Sequence, residues 1–215
     1  MMRAIWRVAK PSGLLKDALD ETYGMLEREQ AMFAAACDAL LSGKQPDVDI
    51  SAEDKDINLG ERMVRRLVFQ HLVVNPEQDL PASLTLIGMV HDIERIGDYS
   101  KNLLELSKLS ARDTGEGKYA DICRGIRDSV EPLLELTLKA FKESDAELAR
   151  EVMRRHQEVK KLSDGIIEQA MQDPDVHGDA VRFTVASRFL RRISAHLSNI
   201  ASSIANPFDK LGGNE

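Results

Sequence analysis

The chain is 215 residues long, 43% hydrophobic, 30% charged and only 5% aromatic, with 29 Lys and Arg against 36 Asp and Glu for a formal net charge of −7. This length permits one large or two small domains with a buried core, and the aromatic-poor composition favours helix bundles over sheets. The acidic balance excludes a chain built as a whole to grip nucleic acid or an anionic membrane, and no apolar run approaches the ~18 residues of a membrane span.

The first thirteen residues form a basic arm, with Arg3, Arg7 and Lys10 around Ile5, Trp6 and Val8. It has no uninterrupted apolar stretch, so it is not read as a signal peptide, and a cytoplasmic protein is expected. Trp6 could dock the arm on a wet apolar boundary or fold back onto the bundle. A first helix is expected from Leu14 to Leu41, with Leu15, Leu19, Leu26, Phe33 and Leu40 on one stripe, ended by Ser42-Gly-Lys-Gln-Pro46. A second starts near Ser51, taken as its N-cap, turns Ile57, Met63, Leu67 and His71 inward, and stops at Asn75-Pro76. The third opens after Asp79 or Pro81, buries Leu86, Met89, Ile93, Ile96 and Leu103, and fades at Ser110.

Asp113-Thr-Gly-Glu-Gly117 reads as the linker between two halves, residues 14–112 and 116–206. The fourth helix spans about Tyr119 to Lys142, with Pro132 expected to bend or shift it. Ser144-x-x-Glu147 has the form of a capping box and opens the fifth, which ends before Asp173-Pro174. The sixth runs from about Asp179 to Ala205, and a disordered tail is expected at Leu211-Gly-Gly-Asn-Glu215. No segment alternates as a strand would. The fold expected is all-α, two antiparallel three-helix repeats joined into an elongated six-helix bundle. Cys37 and Cys123, far apart in helical patterns, read as buried thiols of a reducing compartment.

An internal echo supports two repeats. Asp-Ile-Glu-Arg-Ile-Gly-Asp-Tyr-Ser-Lys-Asn-Leu, from Asp92 to Leu103, returns as Phe-Leu-Arg-Arg-Ile-Ser-Ala-His-Leu-Ser-Asn-Ile, from Phe189 to Ile200. Arg95, Ile96 and Asn102 fall on Arg192, Ile193 and Asn199, whereas Glu94 and Asp98 become Arg191 and Ala195. Carboxylates four apart share a helix face and repel, unless a hard cation or neighbours such as Arg95 and Lys101 answer them. One half keeps the pair; the other has lost it.

The string Glu94-Arg-Ile-Gly-Asp98, after an apolar helical run and before Asn102, closely resembles the signature of the PhoU family. Asp54-Lys-Asp-Ile-Asn-Leu-Gly-Glu61 is similar to that family's matching signature on the preceding helix, and Asn75-Pro-Glu-Gln-Asp-Leu80 to the loop between them. The resemblance covers about residues 17 to 205 and fades in the second half. It implies paired acid-x-x-x-acid motifs that hold divalent or ferric metal ions on the bundle surface. Antiparallel packing of helices two and three would set Asp54 and Asn58 against Glu94 and Asp98, with His91 a further nitrogen donor. Asn at 58 departs from the family pattern and lowers the site's charge. Asp56 and Glu61 are less well placed on that stripe.

The matching positions of the second repeat are His156, Lys160, Arg191 and Ala195, which cannot replace a cation's hydration shell. Metal is therefore expected in the first repeat only. Arg188, Arg192 and His196, with Arg150, Arg154 and Arg155, form either an anion patch or a salt-bridged surface answered by Glu147, Glu151 and Glu158. The chain has no phosphate-binding glycine loop, no Cys-x-x-Cys and no nucleophile elbow, and it lacks the Glu-x-x-His of ferritin-like oxidases. The resemblance implies a non-enzymatic regulator of phosphate uptake that contacts a phosphate transporter or sensor kinase, reaches the membrane through that partner and binds no nucleic acid. The alternative is an accessory subunit of another ion transporter or a metal-buffering protein. A homodimer is expected, to cover broad apolar helix faces.

Overall fold

A computed structural model describes residues 13–75, 79–109, 115–176 and 178–206; the arm before residue 13 and the tail after 206 lie outside the described residues. It is built from α1 (Leu14–Ser42), α2 (Ile50–Val74), α3 (Leu80–Lys108), α4 (Lys118–Glu143), α5 (Ala146–Gln172) and α6 (Gly178–Ala205), with no strand among the described residues. α4 runs unbroken through Pro132.

Local chemistry sets the ends. α1 stops at Gly43, whose φ of 65° is left-handed and whose N–H donates to the Ala39 carbonyl. The cap of α2 is Asp49, not Ser51: one carboxylate oxygen accepts from the N–H groups of Ser51 and Ala52, each at 3.1 Å. The same correction applies to α5. Asp145 accepts from Glu147 N at 2.8 Å and Leu148 N at 3.1 Å, while Ser144, at φ 53°, closes α4 in the left-handed region. In both places the carboxylate two residues before the first free N–H outcompetes the nearby serine hydroxyl.

α1 packs on α2, α3 and α4, and α6 packs on α3, α4 and α5. The inner helices are thus α1, α3, α4 and α6, with α2 and α5 outside. One continuous apolar core runs through all six, from Phe33 and Met32 of α1 to Phe183 and Ile193 of α6. The expected inward residues of α3 are all buried, and so are Leu15, Leu26, Phe33 and Leu40 of α1. Leu19 and Leu67 are partly buried against the core, whereas Met63 is half exposed on α2, where Val64 and Val68 take the core positions instead.

The repeats meet along α3 and α6. His196 Nδ1 lies 2.7 Å from Asp92 Oδ1, to which Asn199 also donates at 3.0 Å. Tyr99 stacks on His196 at 5.7 Å and meets Phe189 at 5.9 Å. In the echo of the two copies, Asp92 corresponds to Phe189 and Tyr99 to His196. The polar and aromatic pairs are therefore two versions of one contact across a pseudo-two-fold seam. Asp92→Ala is expected to cost about 1–2 kcal/mol of stability by orphaning His196. Adding His196→Ala should cost less than the sum of the single losses, which a double-mutant cycle in urea would measure.

Candidate metal centre

α2 and α3 run antiparallel, in the register that brings Lys101 Nζ to 3.0 Å from Asp54 Oδ2. Two turns further along α2, Glu61 then comes opposite His91 and Glu94. His91 Nδ1 lies 3.6 Å from Glu61 Oε1 and 3.8 Å from Glu94 Oε2, and one donor atom from each residue fits within 4.8 Å of the others. Among the described residues no other three His, Cys or carboxylate groups come so close. Metal–donor bonds of about 2.0–2.6 Å hold neighbouring ligand atoms about 3–5 Å apart, so this spacing suits one ion. Glu61 and Glu94 are mostly covered and His91 is half exposed, which leaves the open side to solvent.

The electrostatics favour a cation. Burial, then the charges of Asp98 and Glu61, push the Glu94 carboxyl above its usual range, with Arg95 and His91 partly opposing. Beneath it, Glu29 of α1 is wholly buried, and neither carboxylate oxygen has a well-formed hydrogen bond, the nearby Gly97 backbone N–H only partly opposing the effect of burial. Burial raises its pKa well above normal, and Asp54, Glu94 and Asp98 add to the shift. Glycine at residue 97 leaves it room where it stands: a Cβ there would lie 2.7 Å from Glu29 Oε1. A buried acid without a partner beside three more acids is costly unless positive charge is shared among them. The donor set present therefore fits the metal that the resemblance implies.

The expected ligands divide. His91 and Glu94 come together as anticipated, and their third partner is Glu61, which the sequence stripe set aside. Asp54 is taken by Lys101, and Asp98 accepts from Arg95 Nη1 at 2.8 Å. Asn58 turns its amide back to the Asp54 carbonyl at 2.8 Å. Arg65, 2.9 Å from Glu61, is the group an ion would displace. Cys37 and Cys123 are free and buried, and burial lifts the Cys123 thiol to about 12, too high for a nucleophile.

In the second repeat, His156, Lys160, Arg191 and Ala195 gather with Arg188 and Arg192 around one groove. Among the described residues, the expected salt bridges to Glu147, Glu151 and Glu158 lie within α5. Glu147 pairs with Arg150, Glu151 with Arg154 and Arg155, and Glu158 with Arg154. Those acids do not reach Arg188 or Arg192.

A family profile described as "PhoU domain" matches residues 22–107 and again 124–204. The chain is 28% identical over 178 residues to a phosphate-specific transport system accessory protein PhoU homolog of Pseudomonas aeruginosa, covering 78% of this chain and 69% of that protein. Its identity to the proteins of the same description is 25% over 158 residues for Clostridium acetobutylicum (70% and 69% covered) and 23% over 199 residues for Deinococcus radiodurans (88% and 92%). Its fold matches the crystal structure of PhoU from Pseudomonas aeruginosa with a TM-score of 0.78 at 23% identity, over 89% of this chain and 95% of that one. The phosphate transport system regulatory protein PhoU from Streptococcus pneumoniae gives 0.77 at 18% identity, over 94% and 96%. With the profile met once in each half and the helices in the same order, the chain belongs to the PhoU domain family.

Proposed function

We propose that this chain is a non-enzymatic, cytoplasmic regulator of phosphate uptake that docks on a phosphate transporter or a phosphate-sensing kinase. The observation that carries the reading is the double match to the PhoU domain, together with relatives described as accessory proteins of phosphate-specific transport. No described helix is long and apolar enough to cross a membrane, so contact with the membrane would come through the partner. In this reading Glu61, His91 and Glu94 hold one divalent or ferric ion, tying outer helix α2 to inner helix α3. The ion supplies charge neutralisation that lets the acids stand together and stiffens the face around them.

The same outer helix offers a docking surface. Leu59, Met63, Phe69 and Val73 are exposed on α2, with Arg62 and Arg66 among them. Exposed apolar side chains at helical spacing suit a groove on a partner, or a second copy in a two-fold dimer. Met63→Asp with Phe69→Asp should leave the melting temperature within about 2–4 °C, since each surface change stays within about ±0.5 kcal/mol. The same variant should lose co-purification with the partner, or dissociate a dimer in sedimentation.

The function is tested by deleting the gene. Phosphate uptake and phosphate-responsive expression should stay high in phosphate-rich medium and return to normal on complementation. Unchanged uptake and expression in the deletion strain would overturn the reading.

A further inference from the structure

The second repeat carries, in place of acids, a cluster of cations. His156 and Lys160 of α5 and Arg188, Arg191 and Arg192 of α6 line a groove of about 730 Å³. Its remaining lining is Gln157 and Ala195, so the described wall contains no carboxylate and no Phe, Tyr or Trp. Arg191 pairs with Asp164 outside the lining, whereas Lys160, Arg188 and Arg192 have no carboxylate within ion-pair distance among the described residues. The acids of α5 that could have answered them are engaged by Arg150, Arg154 and Arg155. The repulsion among these like charges is left standing.

We propose that this groove is a binding site for a condensed phosphate, a linear anion of the pyrophosphate or tripolyphosphate class. Arg188 and Arg192 lie one turn apart on one helix face, and their planar forks match phosphate oxygens in pairs, with Lys160 facing them from α5 as a point charge. Four fixed positive charges with one offset by Asp164 call for a multivalent anion. A groove of this volume is several times larger than one orthophosphate, which suits a chain of phosphates.

His156 stands within the same field. Burial, then Arg191 and Lys160, hold its imidazole below the usual range. Its Nδ1 is fixed on Ser194 Oγ at 2.7 Å, which leaves Nε2 for a ligand. The site occupies the positions that correspond to the acidic face of the first repeat. One repeat gathers carboxylates for a cation; the other gathers guanidinium groups for an anion.

Isothermal titration of the full chain with orthophosphate, pyrophosphate and tripolyphosphate at physiological salt tests this. Affinity should climb with the number of phosphates, and tripolyphosphate should bind at least about tenfold tighter than orthophosphate, since each added group brings further charge-assisted hydrogen bonds. Arg188→Gln with Arg192→Gln should weaken tripolyphosphate about tenfold or more without moving the melting temperature. Arg150→Gln with Arg154→Gln, the same change in charge outside the groove, should leave it within about twofold. Bound tripolyphosphate should also raise the His156 pKa in NMR titration. Equal affinity in the two double variants, or a hexaglutamate peptide that binds as tightly as tripolyphosphate, would overturn the assignment, the latter in favour of an acidic protein segment.

Discussion

Replacing Glu29 by Gln is expected to stabilise the chelated, metal-free protein at neutral pH by about 1–3 kcal/mol, the usual cost of a buried group left without a partner. At this chain length that is roughly 2–4 °C of melting temperature per kcal/mol. The Glu29 carboxyl is wholly buried and its folded pKa lies well above the ordinary 4.5, by burial first and then by Asp54, Glu94 and Asp98. Below pH 4.5 folded and unfolded chains both keep the proton, and the residue costs little. As pH rises from 4.5 through the raised folded value, the unfolded chain ionises while the folded chain resists, so stability falls. Glutamine has no proton to lose, and its NH2 can donate to the acids around it. Melting temperatures of the two proteins should therefore meet near pH 4 and separate towards pH 8. A difference that does not change with pH would place the cost elsewhere.

Phe33→Ala is expected to lose about 3–5 kcal/mol, because the ring has no exposed surface and its removal leaves a cavity that rigid helices fill poorly. The shape of the transition is as informative as its midpoint. Phe33 lies in α1 and Phe183 in α6, yet both belong to one core that runs through all six helices. Each alanine variant should therefore lower a single cooperative transition in urea, by a comparable amount. Two separate transitions, with Phe33→Ala moving only one of them, would mean that the three-helix repeats fold independently.

The six helices were legible because each carries an apolar stripe of helical period between glycine and proline breakers, as in Leu15, Leu26, Phe33 and Leu40 of α1. Their caps were less so. Serine and aspartate stand two residues apart at the start of α2 (Asp49, Ser51) and side by side before α5 (Ser144, Asp145), and only backbone geometry decides which oxygen faces the free N–H groups. The site was half legible. The spacing of His91 and Glu94 on one helix is fixed by helical geometry, but their partner on α2 depends on how far two helices slide past each other, which no single helix encodes. Asn58 turns its amide back to the Asp54 carbonyl, and it is Glu61 that comes within reach of His91 and Glu94. Glu29 was invisible because it sits on an apolar stripe of α1, where a lone acid among Leu26, Met32 and Phe33 carries no spacing signal. Of the patch expected from the sequence only Arg188 and Arg192 line the basic groove, because His196 turns to Asp92 and Arg150, Arg154 and Arg155 pair with acids of α5.

The most direct test of the metal centre is elemental analysis of bound metal per chain, after loading with ferric or divalent ions and gel filtration. The expected result is about one ion per chain in the native protein, as three donors at this spacing hold one ion. Asn58→Ala should retain it, whereas Glu61→Gln with Glu94→Gln should abolish it. Full metal retention in the Glu61→Gln, Glu94→Gln variant, or loss of metal from Asn58→Ala alone, would contradict a centre built on Glu61, His91 and Glu94.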